Sequence, residues 1–211
     1  MKRVATIGFF AGVHRGHQYL LQQLREVTGE GGTSIVLTFA KHPQRVLGRK
    51  DPPPLLTTAD EKTRLMKSLC HIEHIEVLDF DQRMAGLTAE DFMNHYLHST
   101  FGITHLLVGY DHHFGRPRWG ESIENYREYG KEIGIEVIAA KQLPEIKISS
   151  SRIRKLIVAG EIDEANNLLG HTFMLEGKVV KGQGIGKKLG IPTANLSVND
   201  PQKMIPSHGV Y

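Results

Sequence analysis

The chain has 211 residues, of which 40% are hydrophobic, and its formal net charge is +3. This length allows one large domain, or one domain with a small companion, and a normal hydrophobic core. Basic residues are scattered and are not interleaved with aromatic residues, so we expect no nucleic-acid partner, and no segment indicates an obligate protein partner. No apolar stretch approaches the roughly 20 residues that span a membrane, so we expect no membrane association.

Cysteine usage and histidine spacing narrow the chemistry further. Cys70 is the only cysteine, which excludes an internal disulfide framework and a cysteine zinc site and favours a reducing compartment. The first apolar run holds glycines and meets His14 too early for a secretory signal, so we predict a cytoplasmic protein. The twelve histidines match no metal-ligand motif, and the adjacent His112 and His113 would point to opposite faces of a strand.

Short β-branched runs alternate with helical patterns through most of the chain. Strands are predicted at Val4–Phe9, Ser34–Phe39, His74–Leu78, His105–Val108 and Glu136–Ala139. Helices are predicted at Gln18–Val27, Ala59–Leu69, Ala89–Ser99 and Ile123–Ile133. This order predicts an α/β protein with a doubly wound parallel sheet and helices on both of its faces.

The first strand leads directly into the segment Gly12-Val13-His14-Arg15-Gly16-His17. A helix that begins near His17 would point unpaired N–H groups and its positive dipole end at this turn, and the glycines would let a phosphate approach the backbone. Two imidazoles could then donate hydrogen bonds to phosphate oxygens. The segment therefore predicts an anion site, although ordinary loop and helix-start histidines are the alternative.

Local signals mark two further helix starts and one long loop. Thr58 with Glu61, and Thr88 with Asp91, have the spacing of an N-cap residue and its acidic partner three positions later. Between the second strand and Thr58, the prolines of the segment Lys41–Leu56 predict a long excursion above the sheet.

A second candidate anion site begins at Ser149-Ser150-Ser151-Arg152-Ile153-Arg154. An apolar periodicity follows through Leu169, so a helix begins among these serines. Any of the three could serve only as a helix cap. Alternatively, the hydroxyls, the free N–H groups and the arginines bind another part of the same polyphosphate.

The character of the sequence changes near Gly170, where we place a domain boundary. The predicted domains are residues 1–170 and 171–211. Phe173–Val180 alternates like a strand, and Lys181–Gly190 is glycine-rich and basic. This segment is not a Walker A loop, because Lys188 stands where that loop requires Ser or Thr, and a glycine-rich hairpin is an equal alternative.

Five segments together resemble the bacterial bifunctional riboflavin kinase/FAD synthetase family, in the family's order and at similar spacing. They span essentially the whole chain. The five are Gly8–His17, Thr38-Phe39 with His42-Pro43, Val108–Asp111 with Phe114-Gly115, Ile148–Arg154, and Gly190–Leu196.

The resemblance implies a Rossmann-like nucleotidyltransferase domain in residues 1–170, followed by the start of a small β-barrel kinase domain. It implies transfer of AMP from ATP to FMN, which yields FAD, with Mg²⁺ as cofactor and riboflavin phosphorylation in the full-length parent. Its implied catalytic residues are His14, His17 and Arg154. The implied ATP-binding residues are Gly8, Phe9, Phe10, Gly12, His14, His17, Asp111, Ser150, Ser151 and Arg154. The flavin side is implied at His42, Pro43 and Phe114, and metal ligands at Asp111 for the transferase and at Thr193 and Asn195 for the kinase.

Two departures from the family pattern affect these expectations. Ala11 stands where the family usually has Asp, which bears on metal handling and on turn geometry. The sequence also stops before the acidic residue that the family uses to activate the riboflavin hydroxyl, so Thr193 and Asn195 stand without a general base. We therefore expect these 211 residues to lack riboflavin kinase activity.

Three other functions are weighed against FAD synthesis. A flavin- or nucleotide-binding protein without turnover would fit Ala11. Another adenylyl- or cytidylyltransferase would share the histidine turn but not Pro192-Thr193-Ala194-Asn195. A class I aminoacyl-tRNA synthetase would need a longer chain and a lysine-rich second phosphate motif.

Overall fold

The computed structural model describes residues 1–109, 114–115, 122–144, 148–188, 190–191 and 193–210. Five of its strands form one sheet of order β3-β2-β1-β4-β5, in which all neighbours are parallel. These strands are β1 Arg3–Ile7, β2 Thr33–Phe39, β3 His74–Leu78, β4 His105–Val108 and β5 Glu136–Ala139. The α/β class and the doubly wound parallel sheet are thus confirmed.

Helices connect the parallel strands and continue after the last one. They are α1 Arg15–Thr28, α2 Pro43–Val46, α3 Ala59–Cys70, α4 Gln82–Gly86, α5 Ala89–Phe92, α6 Ile123–Ile133, α7 Ser150–Ala159, α8 Ile162–Leu169 and α9 Ile185–Lys188. Two strands, β6 Gly177–Val180 and β7 Asn195–Val198, pair antiparallel outside the main sheet. Within the described part of the chain, no helix has both the length and the apolar character needed to cross a membrane.

The sheet buries apolar side chains on both faces, because successive residues of a strand point to opposite sides. On β1, Ala5 packs in the cluster that includes Phe92 and Tyr126, whereas Val4 packs in the cluster that includes Leu21 and Met66. The helices α5 and α6 therefore contribute to one face, and α1 and α3 to the other. Cys70 lies buried at the end of α3, and burial raises the pKa of its thiol to about 11.

A third apolar cluster joins segments that are far apart in the sequence. It contains Ala11 of the first turn, Ile153 of α7, Leu169 of α8 and Met204 from the end of the chain. Gly160, with φ of +81°, ends α7 and lets α8 fold back against it. The start of α7 is thereby packed close to the turn that follows β1.

Local capping signals were reliable, and several element boundaries were not. Thr58 and Thr88 each form a complete capping box with the predicted acidic residue. β1 ends at Ile7 and not at Phe9, because Phe10 takes a left-handed conformation with φ of +52°. The predicted helix Ala89–Ser99 is α-helical only to Phe92 and continues as a π-helical segment over Met93–Thr100.

The position of β1 in the sheet defines where a ligand is expected. Its two neighbours are β2 on one side and β4 on the other, so the chain leaves β1 at the point where the strand order reverses. Ligands of open parallel sheets bind outside the carboxyl ends of the strands at such a point. The residues that follow Ile7 occupy this position.

Candidate active site

The turn between β1 and α1 has an unusual backbone. Phe10, Gly12 and Val13 have φ of +52°, +72° and +42°, so three of four consecutive residues are left-handed. This conformation is costly for a β-branched residue such as Val13 and persists only where the surroundings enforce it. Strain of this kind is typical of binding and catalytic turns.

Contacts from distant segments enforce that conformation. The Gly12 N–H donates to Thr57 Oγ1 over 3.1 Å, and His171 Nε2 donates to the Gly12 carbonyl over 2.8 Å. Gln18 Nε2 donates to both the Val13 and the Leu169 carbonyls, each over 2.8 Å. Both polar groups of the Gly12 backbone are therefore fixed by side chains from outside the turn.

The two predicted histidines lie together at the start of α1. His14 is the N-cap residue, and its Nδ1 accepts a hydrogen bond from the His17 N–H over 3.4 Å. Because Nδ1 is the acceptor, the ring proton of neutral His14 lies on Nε2. The two imidazoles stack with centroids 3.6 Å apart and planes 14° apart. The helix therefore begins at Arg15, slightly earlier than predicted, and both rings lie at its amino end.

The start of α7 meets the start of α1 at one cavity of ≈ 540 Å³. Ser149 is the N-cap residue of α7, and the Ser150 hydroxyl donates to the Ala11 carbonyl over 3.5 Å. The cavity is lined by polar and apolar groups from the carboxyl edge of the sheet and from both helix starts. The lining includes Gly8, Phe9, Phe10, His14, Gly16, His17, Gly109, Lys141, Gln142 and Ser149. Two helix amino ends, which attract anions, thus face one space.

Three other predicted residues, Ser150, Ser151 and Arg154, lie outside the lining of that cavity. Ser151 is exposed, and Arg154 Nε donates to the Pro54 carbonyl over 2.8 Å. Burial of the Arg154 guanidinium lowers its pKa. The bond to Pro54 therefore places the Arg154 side chain beside the Lys41–Leu56 loop.

His42 lies on that same side of the turn. Its Nδ1 accepts from the Gln44 N–H over 3.2 Å and caps α2, and its ring meets the Phe9 ring at a centroid distance of 4.5 Å. Burial, together with the charges of Arg154 and other cations, lowers the pKa of His42 to about 4. His42 is therefore neutral at pH 7 and does not carry a charge to a ligand.

A second cavity of ≈ 350 Å³ lies on the other side of β1. Ile7 lines both cavities, so the end of β1 separates them. The second cavity is mostly aromatic and aliphatic, and its lining includes Phe39, Leu47, Phe80, Met84, Phe92 and Phe114. Of the three predicted flavin-side residues, Phe114 lines it, whereas His42 and Pro43 do not. The sequence pattern missed Phe80 and Met84, although both follow the carboxyl end of β3.

Lys62 connects the ends of β1 and β2, and no sequence motif marks it. Its side chain is buried, and Nζ donates to the Phe9 carbonyl over 2.8 Å and to the Phe39 carbonyl over 3.0 Å. Burial lowers its pKa to about 7. A lysine at a core-facing position of an amphipathic helix was the one available signal.

Replacement of Lys62 by Met is expected to change how stability depends on pH. The pKa is about 7 in the folded protein and 10.5 when the side chain is exposed, so the unfolded chain binds more protons between these values. Wild-type stability relative to Lys62→Met should therefore rise with pH above 7, by up to about 1.4 kcal/mol per pH unit. Urea unfolding at pH 7, 8 and 9 measures this difference. Lys67→Met, on the exposed side of α3, is the control. If the difference in unfolding free energy from the wild type does not change with pH for either variant, the expectation is contradicted.

The remaining predicted residues belong to the end of the chain or lie outside the described residues. Asp111 is among the latter. Thr193 and Asn195 are exposed and pack against glycines, since a Cβ added to Gly186 would lie 2.9 Å from Thr193 Oγ1, and one added to Gly182 would lie 2.6 Å from Asn195 Cγ. In the described ranges, no three His, Cys, Asp or Glu side chains are grouped so that they could hold a metal ion.

Comparisons with known proteins agree on one family. The FAD synthetase family model matches residues 1–152, and a riboflavin kinase model matches residues 169–211. Proteins named bifunctional riboflavin kinase/FMN adenylyltransferase are similar over almost the whole chain. The protein from Listeria monocytogenes is 32% identical over 100% of this chain and 67% of its own length, and that from Pseudomonas fluorescens is 36% identical over 99% and 66%.

A solved structure is similar over the same length. The crystal structure of a protein described as a macrolide-efflux protein from Streptococcus pneumoniae has a TM-score of 0.84 and 30% identity, and the match covers 100% of this chain and 68% of that one. The chain thus spans about two thirds of the length of the curated relatives that it matches.

Proposed function

This chain belongs to the FAD synthetase family, and from this membership we propose that it transfers AMP from ATP to FMN, forming FAD and pyrophosphate. The observation that carries the proposal is the meeting of two helix amino ends at one cavity beside an apolar one. The first cavity, with His14, His17 and Ser149, suits a triphosphate. The apolar cavity, with Phe39, Phe80 and Phe114, suits a flat flavin ring.

The reaction requires little covalent chemistry from the protein. A phosphate oxygen of FMN attacks the α-phosphorus of ATP, and the bond from that phosphorus to the oxygen bridging to the β-phosphate breaks, with the electron pair leaving on pyrophosphate. Both reactants are anions, so catalysis consists mainly of alignment and of neutralising the charge that develops on the leaving group. His14, His17 and the α1 amino end supply donors for that charge, and Ser149 holds the nucleotide from α7.

Arg154 has a separate place in this proposal. It lies one turn after Ser150 on α7, and its bond to Pro54 places its charge beside the loop that carries His42. There it would attract the FMN phosphate toward the boundary between the two cavities. Phe9 lines the first cavity and contacts the His42 ring, so it belongs to the same boundary.

We propose that Mg²⁺ accompanies ATP and is not held by a preformed protein cage. At the first cavity the described residues offer backbone amides, hydroxyls and imidazoles, a set that suits phosphate better than Mg²⁺, which is usually held by carboxylates. When bound, Mg²⁺ would reduce the negative charge of the ATP phosphates. Asp111 stays our proposed protein ligand for it.

Incubation of the purified chain with FMN, ATP and MgCl₂ tests the proposal. We expect FAD and pyrophosphate in equal amounts, measured by chromatography and by a coupled pyrophosphate assay. The matched control is α,β-methylene-ATP, which presents the same charges but lacks the bond that must break, and it should yield no FAD. Binding of FMN without FAD formation would identify a flavin-binding protein and contradict the proposal.

The relatives' second activity concerns the end of the chain. We propose that, in the whole protein, Thr193 and Asn195 bind Mg²⁺ and an ATP phosphate of a riboflavin kinase. Their oxygens lie against the glycines of the Lys181–Gly190 segment, where backbone N–H groups could also reach phosphate. Incubation of the whole protein with riboflavin and γ-labelled ATP, followed by measurement of labelled FMN, tests this proposal.

A further inference from the structure

Residues 202–204, near the end of the chain, pair with Leu55 in the segment that leads into α3. The Leu55 N–H donates to the Gln202 carbonyl, and the Met204 N–H donates to the Leu55 carbonyl, each over 2.8 Å. The Met204 side chain enters the apolar cluster that also contains Leu56 and Ala11. Residues from beyond β7 are thus built into the region beside the nucleotide turn.

Lys203, between these two residues, forms a fully buried ion pair. Its Nζ donates to Glu61 Oε2 over 2.6 Å and to the Leu56 carbonyl over 2.8 Å, and the two side chains are 1% and 3% exposed. The same Glu61 oxygen accepts the Thr58 N–H in the capping box of α3. Loss of Lys203 would therefore leave a buried carboxylate without its cation and release the Leu56 carbonyl.

The segment that Lys203 fixes is the one that holds the nucleotide turn. Thr57, next to Leu56, accepts the Gly12 N–H, and the Leu56 side chain lies against Gly12, where a Cβ would come within 3.1 Å of Leu56 Cδ1. Two hydrogen bonds link the Lys203 ammonium to the turn. The ammonium donates to the Leu56 carbonyl, and the Gly12 N–H donates to the neighbouring Thr57. The turn then leads directly into His14.

We propose that Lys203 is a positioning residue for adenylyl transfer: through Glu61 and Leu56 it fixes the segment that keeps Gly12 in its left-handed conformation and so orients His14. The expected loss of FAD formation rests on the proposed function. The tight hold on the Gly12 amide does not depend on any substrate. Residues matched by the kinase model therefore complete the active site of the transferase.

Lys203→Met in the full 211-residue chain tests the proposal, with Arg64→Met as the matched control. Arg64 also lies on α3 and also pairs with a residue from the end of the chain, Glu176, but both of those side chains are more than half exposed. We expect hydrogen exchange of the Gly12 amide, followed by NMR without substrates, to accelerate at least tenfold in Lys203→Met. The kcat/KM for FAD formation, measured well below the melting temperature, should fall at least tenfold. Arg64→Met should change neither quantity by more than twofold.

The double variant Lys203→Met with Glu61→Gln separates positioning from stability. Glutamine keeps the capping acceptor and removes the unpaired charge, so melting temperature should recover, whereas Gly12 exchange and kcat/KM should not. If activity recovers together with stability, or if Gly12 exchange stays at the wild-type rate in Lys203→Met, the proposal is overturned. If Lys203→Met does not fold, the double variant carries the test. Absence of FAD formation by the wild type would refute only the proposed function. Hydrogen exchange of the Gly12 amide would still decide the role of Lys203.

Discussion

Replacement of His14 by Asn is expected to lower kcat/KM for FAD formation by about 100-fold, with little change in stability. Asparagine is a good N-cap residue, so the first turn of α1 keeps its cap. What disappears is the Nε2–H, a donor to a charged phosphate, and such a hydrogen bond contributes about 1.5–3 kcal/mol, or roughly 10- to 150-fold in rate. Steady-state kinetics with varied ATP measure the loss.

The location of the loss distinguishes two roles for His14. A fall in kcat with KM for ATP unchanged would indicate that the hydrogen bond strengthens in the transition state, whereas a rise in KM alone would indicate ground-state binding. His71→Asn is the control, because His71 has φ of +53° at the end of α3, and asparagine tolerates that conformation. Wild-type kinetics of His14→Asn would remove His14 from the proposed mechanism.

The double replacement of His14 and His17 is expected to be more severe but less than additive. The two rings stack 3.6 Å apart and serve one end of one helix, so they act on the same charge. Residues that act as a unit show non-additive losses. The double variant therefore locates the catalytic contribution in the pair and not in either ring separately.

Replacement of Gly12 by Ala is expected to reduce both stability and activity. The φ of +72° costs an L-residue about 1–2 kcal/mol, and the new Cβ would lie 3.0 Å from Leu169 Cδ2 and 3.1 Å from Leu56 Cδ1, which adds about 1–3 kcal/mol of overpacking. Any shift that relieves these contacts moves His14. We expect the free energy of unfolding to fall by about 2–5 kcal/mol. We expect kcat/KM to fall at least tenfold, because a loss of about 1.4 kcal/mol in transition-state stabilisation is enough for that change.

Gly134→Ala separates the two sources of cost. Gly134 has φ of +77°, close to that of Gly12, but nothing lies within 4 Å of its added Cβ. Its substitution should therefore show only the backbone penalty and leave FAD formation unchanged. Equal losses of stability in the two variants, measured by urea unfolding, would mean that the packing of Leu56 and Leu169 on Gly12 carries no constraint.

Ala11 is buried in the first turn, and its backbone carbonyl contacts α7. The sequence marks it only as a departure from the family's Asp. In the structure it lies 6% exposed in the apolar cluster with Leu56 and Ile153, and its carbonyl accepts from Ser150. The carbonyl of Ala11 therefore still links the first turn to α7, and the link does not depend on a carboxylate.

Sequence patterns alone determined the parallel sheet and two of the helix starts. The strands are read from short β-branched runs, and the caps at Thr58 and Thr88 from two residues three positions apart, because a capping box is formed entirely within one turn of helix. The sequence also predicts that two helix starts, one near His17 and one among the serines 149–151, bind one polyphosphate. In the structure, His14 and Ser149 line one cavity. Where the backbone departs from regular geometry, at Phe10 and over Met93–Thr100, local propensity gave no warning.

Only the tertiary structure decided how the nucleotide turn is held. Gly12 is fixed by Thr57 and His171, and the Thr57 segment by Lys203, partners that lie 45, 159 and more than 140 positions away along the chain. Periodicity reports which face of an element is buried but not which distant segment covers it. Buried polar groups such as Lys62 and Lys203 require partners at one geometry, and that geometry exists only after the segments have packed together.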